Sequence, residues 1–156
     1  MSAAGIVLVC ALDLLGRSRD RLPPIQILAE RPPQASATAE AFADSQTGVI
    51  YLIASAPAFG AAQGAQSSAA ECRDADSLKM VASIIVHEEW HLTHGPDEEG
   101  AYYAQLMALQ LLGLGPDSIP FAYVTRDAHR PRRPAPGRPR LGHTGDGRPG
   151  TPSMTT

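Results

Sequence analysis

One run of five residues, His87-Glu88-Glu89-Trp90-His91, constrains this chain more than any other feature. Two histidines at i and i+4 leave the same side of an α-helix one turn apart. Both imidazoles can then reach one metal ion at the usual Zn–N distance of about 2.0–2.1 Å. Glu88 follows the first histidine, so it stands beside the metal rather than on it, where it can take a proton from water activated there. This chemistry needs a helix and a rigid support behind it. Residues 78–86 are almost all apolar and supply that support, and Asp74, Asp76 and Ser77 are suited to cap the start. The pattern predicts a helix over 76–93, with Trp90 packing it against a neighbouring sheet.

A chain of 156 residues suits one domain plus a tail. Aromatics make up only 5% of it, so the core is expected to be built from Ala, Leu, Ile and Val. Charge divides the chain in two. Residues 1–125 carry six Lys and Arg against fourteen Asp and Glu, whereas residues 126–156 carry seven Arg against two Asp. The second segment also holds six of the fourteen prolines and shows no apolar periodicity. We therefore expect a folded domain over 1–125 and a disordered Pro/Arg/Gly-rich tail over 126–156. No Phe, Tyr or Trp interleaves with the tail arginines for base stacking, so nucleic acid is not an expected partner.

Cys10 and Cys72 lack any CxxC or ligand spacing, and two free buried thiols in a reducing compartment are expected. Residues 3–12 are apolar, but no Lys or Arg precedes them and Asp13 follows directly. That run is shorter than the ~20 residues a bilayer span needs, so neither a signal nor a membrane partner is expected, and a cytoplasmic location is. Ahead of the central helix, the pattern predicts a helix over 5–19, a short strand over 25–30 and a hairpin of 39–44 with 49–53. Residues 54–70 read as part helix and part loop, 96–112 as a second long helix, and 118–124 as a last extended segment.

A catalytic zinc usually has three protein ligands and one open position. Beyond the two histidines, His94, Asp97, Glu98 and Glu99 are candidates. Asp97 has the spacing of the HExxHxxGxxH/D pattern, but His94 stands where that pattern needs its turn glycine, and Gly95 comes one residue later. Glu98 shares a helix face with Ala101, Tyr102, Leu109 and Leu112, so its carboxylate is drawn inward, where a metal would be a suitable partner. Glu99 is turned about 100° away. The helix period therefore favours Glu98 and leaves the other three open.

The segment HEEWHLTHGPDEEGAYYAQLMALQLLG resembles the zincin metallopeptidases of the gluzincin kind, and more narrowly the minimal bacterial domains of the ImmA/IrrE type. The resemblance covers about residues 25–112. It implies an α+β minimal zincin-like domain: a short mixed sheet packed on the HExxH helix, followed by a ligand-bearing helix of the form E-x-x-A-x-x-x-A. Glu98 and Ala101 match that form, and Gln105 stands where its second small residue would be. The resemblance implies Glu98 as third zinc ligand and an edge strand lining the substrate cleft, for which Val49–Ile53 is the candidate.

The reading from residues and the resemblance converge on a zinc metallopeptidase that hydrolyses a peptide or protein substrate, with Glu88 as general base. His94, Tyr102 and Tyr103 are candidates for stabilising the transition state. Two alternatives remain: a metal-dependent hydrolase of a non-peptide amide or ester, and a non-catalytic metal-stabilised interaction module. Glu88 argues against the second, since a structural metal needs no base.

Overall fold

In the computed structural model, which describes residues 1–130, the chain order is α1 (Ala3–Leu14), a 3-10 turn (Arg19–Arg21), β1 (Ile25–Leu28), β2 (Ala41–Asp44), β3 (Val49–Ile53), α2 (Pro57–Ala65), α3 (Asp76–His94), α4 (Glu98–Leu111) and α5 (Ile119–Ala128). The architecture is α+β, as expected. Helix α3 is its axis, with α1, α2, α4 and β2 packed around it. Its apolar stretch accounts for this, because Leu78, Met80, Val81, Ala82, Ile84 and Ile85 are all buried and leave it no solvent face along that length.

The three strands form a mixed sheet in the order β1-β3-β2, with β1 parallel and β2 antiparallel to β3. The hairpin expected between 39–44 and 49–53 is present, and Gly48 at φ 69° makes its turn. Val49–Ile53 is not the edge strand. Val49, Ile50, Leu52 and Ile53 are buried, and a strand apolar at nearly every position is best placed between two neighbours. The edge on the α3 side is β2. Ile53 N–H donates to the Glu40 carbonyl at 3.1 Å. With Ala41 opposite Leu52 and Ala43 opposite Ile50, the N–H and C=O of Ala41 and Ala43 therefore point away from β3.

Several expectations are corrected. Residues 118–124 are not extended. Ser118 caps α5 by accepting from Phe121 N–H, and Pro120 lies in the first turn, where its missing N–H does no harm. Only Val124 of α5 is buried, with Phe121 partly buried against the core, so a segment this short offers few inward positions from which to tell a helix from a strand. Helix α5 runs past the proposed domain boundary at 125, and residues 131–156, the bulk of the expected tail, lie outside the described residues. The N-cap of helix α3 is Ala75, which gives it no side-chain cap; Asp74 instead pairs with Lys79 at 2.8 Å. Among the described residues, no helix is long and apolar enough to cross a membrane.

The two cysteines are not free. Cys10, on the buried face of α1, is joined to Cys72 in the loop before α3. That loop is closed by Gln66, whose amide donates to the Arg73 carbonyl and accepts from its N–H, both at 2.8 Å. A sequence separation of 62 residues hides this pairing from any spacing rule. The disulfide also removes the free thiols on which the expectation of a reducing compartment rested.

Two outcomes follow for stability. Closing a loop of 62 residues constrains the unfolded chain by up to about 4 kcal/mol in the chain-entropy model, so Cys72→Ser should lower the melting temperature and make it insensitive to reductant. Glu40 accepts from Ala58 N–H at 3.2 Å and so caps α2, whose own N-cap residue, Ala56, has no side-chain acceptor. Burial nevertheless raises its carboxyl above the ordinary 4.5, against the Ala58 N–H and Arg31. A raised folded-state pKa contributes stability below the unfolded value and loses it as pH climbs through the folded one. Glu40→Gln keeps the acceptor without the charge, so its melting temperature should exceed wild type at pH 7 and the gain should shrink toward pH 4.5. A gain independent of pH would contradict this.

Candidate metal centre

The site lies where α3 passes into α4. His87 and His91, one turn apart on α3, bring their Nε2 atoms to 3.2 Å from one another. Two nitrogens held tetrahedrally on one ion at about 2.05 Å would be about 3.3 Å apart. Glu98, in the first turn of α4, places Oε2 at 3.7 Å from His87 Nε2 and Oε1 at 3.6 Å from His91 Nε2. Ligand atoms of the three residues all lie within 4.8 Å of one another, so this cluster could hold a metal ion.

The outer nitrogens agree with that arrangement. His91 Nδ1 is 2.9 Å from the Gly95 carbonyl, and His87 Nδ1 is 3.1 Å from Gln105 Oε1. A carbonyl oxygen only accepts, so each Nδ1 donates its hydrogen outward, which leaves each Nε2 as the nitrogen that faces the other ring and Glu98. Each Nε2 is thereby placed to offer a lone pair to an ion bound between the two rings. Two imidazole nitrogens and a carboxylate are also a donor set that suits zinc.

The other ligand candidates are not brought to this point. Asp97 is the N-cap of α4, accepting from Gly100 N–H at 3.1 Å and from Trp90 Nε1–H at 3.2 Å, and these bonds hold its carboxyl below the usual range. Glu99 is exposed and is not part of the cluster. His94 is exposed and stacks on Trp90 with ring centroids 3.8 Å apart. Trp90 thus packs toward the start of α4 rather than against the sheet.

Glu88 is 7% exposed and borders the same cleft as the cluster. Burial pushes its carboxyl above the ordinary value of 4.5; His87 and His91 oppose this, Glu98 adds to it, and a hydrogen bond from Ala43 N–H lowers it. The cleft has a volume of about 910 Å³. Ala41 and Ala43 of the β2 edge form one rim, the loop around Gln34 and Ser36 another, and Tyr123, Asp127 and Arg130 of the α5 segment a third. Of the three candidate stabilisers, Tyr102 lines the cleft and meets the His87 ring edge-on at 4.7 Å, whereas Tyr103 is 65% exposed.

Sequence reasoning missed Gln105, Ser83 and the β2 edge. Gln105 and Ser83 carried the signal that singled out Glu98, a polar residue on an apolar helix face. No known protein family, curated protein or solved structure matches this chain.

The geometry separates the carboxylates. Glu98→Ala should weaken zinc binding strongly in competition with a chelator. Asp97→Ala should lower the melting temperature through loss of the cap while leaving three ligands, and Glu99→Ala should change neither. Normal zinc affinity in Glu98→Ala would remove this residue from the centre.

Proposed function

We propose that this chain is a zinc-dependent hydrolase of peptide bonds, with His87, His91 and Glu98 as ligands and Glu88 as general base. The observation that carries the reading is a buried carboxylate, Glu88, next to a three-ligand cluster that opens onto a strand edge. Zinc bound there would lower the pKa of water toward about 7 and polarise a carbonyl. The protein's own groups supply the rest. The Glu88 carboxylate takes the proton of the attacking water and returns it to the leaving nitrogen. A general base works best with a pKa drawn toward the working pH, and burial moves Glu88 in that direction. Tyr102, whose ring meets His87 edge-on at the cleft, is the candidate to stabilise a developing oxyanion.

A peptide fits better than a small amide or ester because of the β2 edge. The outward N–H and C=O of Ala41 and Ala43 line the cleft, and an extended chain can add to such an edge through main-chain hydrogen bonds. Ala43 N–H lies on Glu88, which leaves Ala41 as the group that would align a substrate backbone beside the base. The burial of Glu88 also weighs against a non-catalytic module, since a purely structural site has no use for a carboxylate held in apolar surroundings. The zincin resemblance supports the same reading.

Glu88→Gln tests the proposal. The variant should retain one zinc per chain and lose about 10²–10⁴-fold in the rate of peptide hydrolysis. A variant that cleaves a confirmed peptide substrate at the wild-type rate would rule out Glu88 as the base; a chain that hydrolyses esters but no peptide would favour the alternative hydrolase.

A further inference from the structure

Histidine tautomers decide whether a two-histidine site can take a metal, and at His87 the tautomer is set by side chains alone. Ser83 Oγ lies 2.8 Å from the Met80 carbonyl, which can only accept, so the hydroxyl donates there. Its oxygen then has only lone pairs to offer its other partner, Gln105 Nε2, at 3.3 Å. The amide NH₂ must therefore face Ser83, which turns Gln105 Oε1 toward His87 Nδ1 at 3.1 Å. All three side chains are buried, with Ser83 0%, Gln105 4% and His87 8% exposed, so little water is at hand to substitute for any of these bonds.

We infer that Gln105, oriented by Ser83, is a positioning residue that locks His87 with hydrogen on Nδ1 and Nε2 bare toward the metal. The inference rests on the metal centre proposed above. Turning the amide over would set its oxygen against Ser83 lone pairs and its NH₂ against His87 Nδ1. The ring hydrogen would then have to move to Nε2, the atom 3.2 Å from His91 Nε2, and would block the ligand position. His91 needs no such device, because its Nδ1 is held by the main-chain carbonyl of Gly95. The arrangement also assigns a purpose to a serine and a glutamine on otherwise apolar helix faces, where an unpaired polar group would be costly.

The test reads the tautomer directly. Nitrogen NMR of histidine-labelled, metal-free protein should show His87 in the Nδ1–H form in wild type. In Ser83→Ala and Gln105→Leu the Nε2–H form should appear, and zinc affinity, measured by chelator competition, should fall about 10–100-fold. Gln105→Glu, whose carboxylate still accepts from Nδ1–H, should restore the Nδ1–H form and most of the affinity. A helix-packing role alone would lower the melting temperature of these variants without moving the tautomer. Ser83→Ala removes a single oxygen, so it serves if Gln105→Leu does not fold. An Nε2–H form in wild type, or wild-type tautomer and affinity in folded Ser83→Ala and Gln105→Leu, would overturn the inference. Failure of wild type to bind zinc would instead overturn the metal centre, while the metal-free spectra would still decide the role of Gln105.

Discussion

The short junction between α3 and α4 is the constraint on which the site depends. Only Gly95, Pro96 and Asp97 separate the two helices. Gly95 ends α3 at φ 72° and ψ −150°, a region essentially reserved for glycine, and its carbonyl accepts from His91. Gly100 then lets α4 close in, since a Cβ there would lie 2.6 Å from the Trp90 ring. With the turn this tight, Asp97 is used up as the helix cap, and the next carboxylate in the chain, Glu98, is the one delivered opposite both histidines. A turn glycine one residue later than in the HExxHxxGxxH/D pattern thus shifts the inward-facing carboxylate one residue later as well.

Burying polar chemistry in a small domain works against stability, and the site meets that conflict in two ways. Where a group can be paired, it is: Ser83, Gln105 and His87 form an unbroken chain, and among the described residues no buried side-chain nitrogen or oxygen lacks a partner. Glu88 differs, because its surroundings do not offset its desolvation and its carboxyl stays above the ordinary range. Strongly perturbed groups concentrate at functional sites, which is why this carboxylate enters the functional proposal. The disulfide between α1 and the α3 approach supports the same helix from the opposite end.

The cleft joins these parts. A free strand edge is normally a liability, open to unwanted pairing, and proteins shorten or cover such edges. Here β2 has four residues, and its free edge faces α3 and the cleft instead of open solvent. A backbone hydrogen bond from Ala43 ties this edge to Glu88.

Local pattern was enough to determine the long helices, the hairpin, the two histidines with Glu88 between them, and the inward turn of Glu98. Each of these follows from a period of 3.6 or 2 read over neighbouring residues. Tertiary structure decided what depends on partners distant in the chain. It joined Cys10 to Cys72 across 62 residues, put β3 in the middle of the sheet and β2 at its edge, and formed α5 with Val124 as its one buried residue. It also gave Gln105 to His87, eighteen positions apart, because only the packing of α4 on α3 brings an amide and an imidazole to hydrogen-bonding distance. A periodic pattern reports which face of an element turns inward, but not which group waits there.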